Sequence, residues 1–473
     1  MTSAEALACA AEPGEHWLAE PKSDRLPISK IVLFSLPSTG QGFMFLFTGM
    51  YLLKFSTDVL GIAPGVMGLL FLLSRVWDAV SDPLAGYLSD RTRSRWGRRR
   101  PWLAAGAIPV GLVFYAMWAP PIERLAGGWL SLWMGAAIIL FYTGMTVFNM
   151  PYDSLGAELT DNYEDRNRIF GIRRAFFGIG SVFVFGAIAW LSQSADPRED
   201  ARLFAAVGAV VTTSCMLFTA WRIRERPEFQ GRGARRPFQA FSAVFRNPHA
   251  RILLAVFFLQ QLGVGAVTFM AAYYAQYILG DPELFAPMMG FLFVVSLLSI
   301  PFWVRLGERY DKKRLLLVSM WVVGGALFCM AFFGAGDTVA VMGIAAIAGA
   351  AVGGLDVIFP SIQADVIDYD ELVSDERKEG VYFAAWAFAA KTALGVSGML
   401  AGLALSATGY QPGVEQPDSV KLAIRVLMSG IPLVTYGVGI LVFRRFALTR
   451  ELHAEIRQQL ASRRARSSES SMA

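Results

Sequence analysis

A dozen long apolar runs constrain this chain more than any other feature. Stretches such as 103–118, 134–150 and 339–354 approach twenty apolar residues, about the length that crosses a bilayer as a helix. In lipid every backbone N–H and C=O must be satisfied inside the chain, so such runs fold as helices. Composition agrees: 55% of the 473 residues are hydrophobic and 17% are charged, against about 25% charged in soluble domains. Strand-like alternation does not recur often enough for a β-barrel. The fold class expected is an all-α membrane protein.

The pattern predicts twelve spans, at 31–56, 64–89, 101–119, 129–157, 171–192, 202–222, 250–279, 286–306, 314–334, 338–366, 380–408 and 422–444. They form two six-helix halves. An N-terminal bundle covers 31–222 and a C-terminal bundle 250–444, with an arginine-rich loop at 223–249 between them and segments 1–30 and 445–473 outside. Basic residues crowd alternate loops, as in Arg91, Arg93, Arg95, Arg98, Arg99 and Arg100, whereas the loops at 280–287 and 334–338 carry none. By the positive-inside rule both termini face the cytoplasm, as for a protein of a cell inner membrane. The halves echo each other: a basic loop follows the second span of each, opening on Asp90-Arg91 and on Glu308-Arg309, an offset of about 220 residues that reads as internal duplication. Duplications of this kind place a solute site between the halves near the bilayer midplane. The basic tail reads as a solvated helix at an anionic membrane surface.

Several function classes fall away. The net charge of +5 sits on membrane-flanking loops and gives no reason to expect nucleic acid. Cys9, Cys215 and Cys329 have no metal or redox spacing, and His16, His249 and His453 are scattered. Neither a Gly-x-Ser-x-Gly elbow nor a phosphate-binding Gly-Lys-Ser/Thr loop is present. The first 30 residues lack the basic and apolar regions of a cleaved signal peptide. The expectation is a transporter, not an enzyme, with no cofactor.

Charges inside the apolar runs point to the chemistry, because each costs roughly 2.5–3.5 kcal/mol at mid-membrane. Asp78 and Asp82 in the second span lie four residues apart on one helix face, with Ser81 beside them. Two carboxylates and a hydroxyl form a hard-oxygen set suited to a small cation or a proton. Arg75, one turn from Asp78, offers the structural alternative of neutralising it. Lys391, deep in the eleventh span, is too far from either interface to snorkel, so Asp78 and Asp82 are its expected partners. Thr146, Asn149 and Asp153 share a face of the fourth span, with Pro151 among them; the depth of Asp153 stays open. Asp356 follows a Gly-Gly pair in the tenth span and is expected to face a cavity. Trp386 is a candidate to stack on a solute ring, packing being the plainer reading. Arg173-Arg174 opens the fifth span, one as an interface anchor and the other reaching the cavity.

Motifs in the same order and spacing extend over about 30–445. They include Arg75-Val-Trp-Asp-Ala-Val-Ser-Asp-Pro-Leu-Ala-Gly86, Thr92-Arg-Ser-Arg-Trp-Gly-Arg-Arg-Arg-Pro-Trp102, Met150-Pro-Tyr-Asp-Ser-Leu155, Ala364-Asp-Val-Ile-Asp-Tyr-Asp-Glu371, and Arg377-Lys-Glu-Gly380 ahead of Lys391. On these the chain resembles the glycoside–pentoside–hexuronide:cation symporters of the major facilitator superfamily. The resemblance implies a cation site at Asp78, Ser81, Asp82 and Thr146 with Lys391 as the positive partner, Ser81 replacing the family's common asparagine. It implies inter-half gating contacts from Asp90, Arg91, Arg98, Asp365, Asp368, Arg377 and Glu379. It implies a cavity arginine at Arg174. Gly42 and Asn149 stand where the family's melibiose carrier has acids for its sugar, and Asp153, Asp356 and Trp386 also depart from that pattern. The candidate solute residues are therefore Asn149, Asp153, Arg174, Asp356 and Trp386.

Such a carrier works by alternating access, with Na+ or H+ as coupling ion, a small-molecule solute and the lipid bilayer as its partners, and a monomer as its functional unit. A sugar, glycoside or uronide is the expected solute. An amphipathic solute such as a lysophospholipid is the alternative, compatible with Phe43, Phe45 and Phe47 in the first span.

Overall fold

The computed structural model describes residues 25–160, 162–225, 244–374, 376 and 378–472. Twelve long helices carry the fold: α1 Ile28–Val59 (its last turn, Phe55–Val59, a π turn), α2 Pro64–Arg91, α3 Arg100–Trp118, α4 Gly128–Glu158, α5 Tyr163–Gln193, α6 Pro197–Arg222, α7 Pro248–Tyr277, α8 Phe285–Arg309, α9 Lys312–Cys329, α10 Thr338–Ser374, α11 Glu379–Ala407 and α12 Asp418–Phe443. Among the described residues, eleven of these are long and apolar enough to cross a membrane. The twelfth, α2, falls outside that set because Arg75, Asp78 and Asp82 interrupt its apolar run.

Several helices outrun the spans that hydropathy predicts. α5 begins at Tyr163 rather than 171, because the Asn162 side chain accepts hydrogen bonds from the Glu164 and Asp165 N–H groups. α6 begins at Pro197 rather than 202, capped likewise by Asp196. Capping side chains satisfy the free N–H groups of a first turn, so helix continues into residues too polar for lipid. α10 extends through Asp368-Tyr-Asp-Glu to Ser374, again beyond its apolar run.

Within the first half α1 packs on α5 and α6, and α3 on α4 and α6; within the second, α8 packs on α10 and α7 on α11 and α12. The halves meet where α2 lies along α11, where α1 meets α7 and where α5 meets α8. An even number of crossings returns both chain ends to one side, here called the terminal face. There a further helix, α13 Arg450–Met472, docks on the α10 extension. Ile456 and Leu460 are buried, His453 Nε2 lies 3.1 Å from Asp368, and Arg463 Nη1 donates to the Leu372 carbonyl. The tail, expected as a solvated helix, is thus partly seated on protein. The loop call at 223–249 falls largely on residues outside the described ones.

Candidate functional site

Four charges from α2 and α11 meet at mid-bundle. Lys391 Nζ lies 2.5 Å from Asp82 Oδ2 and 3.5 Å from Asp78 Oδ2. Arg75 Nη1 donates to Asp78 Oδ2 at 3.2 Å, and Thr146 Oγ1 of α4 donates to Asp82 Oδ1 at 2.6 Å. Two acids and two bases therefore balance. Arg75 is itself held in place. Its Nη2 donates to the Tyr142 hydroxyl at 2.6 Å and its guanidinium lies 3.9 Å from that ring's centroid. Gly395 on α11 makes room for it: a Cβ there would sit 2.8 Å from Arg75 Cγ. Asp78 is 1% exposed, and its Oδ1 and the buried Ser81 Oγ have no hydrogen-bond partner. Unsatisfied buried oxygens are costly, and both of these are free to accept a hydrogen bond. The Asp78 and Asp82 carboxylates converge on the Lys391 ammonium, and Thr146 bonds Asp82 through its other oxygen. Groups of three or more His, Cys, Asp or Glu arranged for a metal are absent among the described residues.

The remaining candidates lie around this centre. Gln41 Nε2 of α1 donates to Asn149 Oδ1 at 2.6 Å. Asp153 is exposed and bound by Arg173 Nη2 at 2.7 Å, with Arg173 lying 4.2 Å from the Tyr152 ring centroid. Arg174 is exposed; the Asp356 carboxylate of the other half acts on it through space, and it has no salt bridge among the described residues. Trp386 is 3% exposed and packs against Tyr382 and Phe383, so in this conformation its ring belongs to the core. Gly42 abuts the Phe177 carbonyl of α5. A backbone-to-backbone approach fills that position, and a side chain there would have nowhere to go.

The two faces differ. On the face opposite the termini the halves are locked. Asp58 binds Lys54 at 2.7 Å and accepts from the Tyr410 hydroxyl at 2.5 Å. Lys54 also donates to Gln276 of α7, and its ammonium lies 5.0 and 5.4 Å from the Tyr273 and Tyr277 ring centroids. Thr57 and Tyr273 share a hydrogen bond at 2.8 Å, and Gln193 reaches Glu283 at 3.2 Å. Tyr410, in the loop after α11, has its hydroxyl pKa pushed well above the usual tyrosine range by burial and then by the Asp58 charge. Toward the terminal face, Arg174, Asp356 and Ala387 are exposed although all lie two turns or more inside their helices. The ion pairs described there lie within one half. Asp90 binds Arg99 at 2.8 Å, and Arg98 and Arg99 bind Glu158 at 2.7 and 2.8 Å. Asp365 binds Lys312 at 2.7 Å and His453 at 3.5 Å, and Arg91 stacks on Tyr87 at 4.2 Å. Glu225 accepts from the backbone N–H of Arg98, Arg99 and Arg100, an anion at a helix N-terminus. Glu379 opens α11, and Arg377 lies outside the described residues.

A family model described as MFS/sugar transport protein matches residues 33–450. The chain belongs to that family. It is a multi-pass membrane transporter of the major facilitator fold, in a family of carriers rather than enzymes. A putative glycoside/cation symporter of Escherichia coli (strain K12) is 27% identical, covering 91% of this chain and 94% of its own. A sodium-dependent lysophosphatidylcholine symporter of Danio rerio is 26% identical, covering 87% and 84%. Among solved structures, a bacterial homolog of the human lysosomal transporter Spinster, inward-facing and unoccupied, superposes with a TM-score of 0.66 at 14% identity, covering 89% and 97%.

Sequence reasoning passed over several residues of this MFS carrier. Tyr142, the Gln41 amide and the Lys54–Asp58 pair are among them. Lys54 and Asp58 did leave a signal, opposite charges four residues apart at the end of an apolar run. Charges at a span's end usually mark the interface, which hid their role between the halves.

Proposed function

We propose that this carrier couples Na+ or H+ to the uptake of a sugar, glycoside or uronide by alternating access. One observation carries the reading: the Lys391 ammonium from one half is inserted between Asp78 and Asp82 of the other, with Thr146 bonded to Asp82; Ser81, next to Asp82 in the sequence, is proposed as a further oxygen of the ion site. Lys391 acts as a tethered cation. It satisfies the carboxylates while no ion is carried, and a travelling ion takes its place. Because Lys391 belongs to the second half, exchanging it for an ion changes the bond between halves, which is what coupling requires. The solute is held by Asn149, Asp153, Arg174 and Asp356 between the halves; Trp386 joins them only after rearrangement. The basic terminal face is cytoplasmic, in a cell inner membrane with the monomer as working unit. The described conformation is then closed to the outside and open to the cytoplasm. Asp90, Arg91, Arg98, Asp365, Asp368, Arg377 and Glu379 make inter-half contacts when that side closes. The similarity to a glycoside/cation symporter supports a glycosidic solute.

The test is uptake into proteoliposomes of a panel of glycosides, uronides and lysolipids, driven by a Na+ gradient or a pH gradient. Accumulation of a glycoside or uronide under one of these gradients is expected. Accumulation of lysolipids alone would replace this reading with an amphipathic solute, which the similarity to a lysophosphatidylcholine symporter favours.

A further inference from the structure

On the outer side of the α2–α11 seam, away from the charge cluster, lies a cavity of about 590 Å³. That is within the roughly 300–1,000 Å³ range of small-molecule sites. Its walls are Ala79 and Pro83 of α2, Leu254 and Phe258 of α7, and Phe388 and Ala389 of α11. It opens outward: Val76, Val80 and Leu84 beside it on α2, and Leu403 on the same side of α11, are 55%, 53%, 52% and 49% exposed. Those are the surfaces that a membrane-spanning bundle turns to lipid. Among the described residues the one charged residue in its lining is Arg251 in the first turn of α7, toward the terminal face. Phe245, 58% exposed, lines the same end, and the exposed Arg246 follows it. Neither arginine has an ion pair among the described residues.

We propose that this crevice seats one acyl chain of an anionic phospholipid from the leaflet on the terminal face, its phosphate held by Arg251 and Arg246. An apolar slot with cationic groups only at the headgroup end matches the two parts of such a molecule. Apart from Thr392 of α11 the described walls are apolar, which leaves too few polar groups to hold a sugar. The chain lies between α2 and α11, the helices that Lys391 ties together, and separates their outer surfaces on the terminal side. The bound lipid therefore favours the conformation in which that side is open.

The test uses the full-length purified protein in a neutral detergent, stripped of lipid and offered dioleoyl phosphatidylglycerol or dioleoyl phosphatidylcholine. Retained lipid is counted by native mass spectrometry. Preferential retention of phosphatidylglycerol is expected. Arg251→Ala is expected to cut it about fivefold, the weight of one basic side chain at an anionic surface, with phosphatidylcholine unchanged. Arg251→Lys keeps the preference and shows that the fold is intact. Ala255→Trp, which fills the slot, lowers retention of both lipids. Equal retention of phosphatidylglycerol by wild type, Arg251→Ala and Ala255→Trp overturns the proposal. So does displacement of phosphatidylglycerol by lysophosphatidylcholine that the wild type then accumulates in vesicles, because the crevice would be a solute path.

Discussion

Along the seam between α2 and α11 the two halves are joined by glycine at one end and by charge in the middle. Near the face opposite the termini, Gly68, Gly398 and Gly402 bring the helices into backbone contact, a Cβ on Gly68 lying 2.7 Å from the Gly398 carbonyl. About two turns further along, Gly395 gives way to Arg75, and Lys391 reaches across to Asp78 and Asp82. Close contact between small residues is a common joint in membranes, where packing rather than water drives association. It offers nothing that a solute or ion can substitute. On the proposed reading the charged joint is replaceable, a travelling cation competing with the lysine. On that reading the seam pairs a steric closure that geometry alone opens with an electrostatic closure that a ligand opens.

Breaking the charged joint has the largest expected effect. Asp82→Asn removes the carboxylate that Lys391 and Thr146 both contact. Solute affinity should stop responding to the coupling ion, losing the whole coupling factor of about 5–150-fold typical of linked sites. Solute binding titrated with and without Na+, and at two pH values, checks it; an undiminished response would remove Asp82 from the coupling site. Breaking the glycine joint costs less. Gly402→Val pushes a side chain against the Pro64 carbonyl and Gly68 and should destabilise the described conformation by about 1–3 kcal/mol, as overpacking does. Labelling of a cysteine at Ser406 by an impermeant reagent added on the far side should rise accordingly.

The third joint, the Lys54–Asp58–Tyr410 lock, sharpens the comparison with the smallest change. Tyr410→Phe deletes the hydroxyl's hydrogen bonds to Asp58 and Tyr277, each worth about 1 kcal/mol, and should raise far-side labelling severalfold while leaving ion dependence intact. The sign of its pH response follows from the raised hydroxyl pKa. A group held protonated by folding contributes fully below its unfolded value, about 10 for tyrosine, and loses that contribution only above it. Far-side labelling of the wild type should therefore be flat from neutral pH to about pH 10 and rise beyond. A rise near neutral pH would show that the Tyr410 hydroxyl does not control the lock.

The charged joint was legible in the sequence and the steric one was not, for a physical reason. Asp78, Asp82 and Lys391 stand in apolar runs where an uncompensated charge is expensive, so each asks for a partner and together they supply one. Glycine has no such signature. Gly42 reads as a missing acid until the Phe177 carbonyl of α5 is seen against it. Span count and order were legible from hydropathy because lipid demands apolar length. The charged α2 was legible by its motif. Helix ends were less so, since Asn162 and Asp196 caps act beyond the apolar run. Tyr142 stayed hidden because an aromatic in an apolar helix looks like any other core residue. Only the structure places it under Arg75.

The even balance of Arg75 and Lys391 against Asp78 and Asp82 has an electrical consequence. On the proposed cycle the ion-free site crosses the field with no net charge, whereas a site holding one monovalent cation in addition carries +1. Membrane voltage, worth about 2.3 kcal/mol per elementary charge per 100 mV, then drives the loaded stroke and leaves the empty return untouched. With a neutral solute each turnover is electrogenic. With a uronate the solute's own charge cancels the ion's, and the same protein would run blind to voltage.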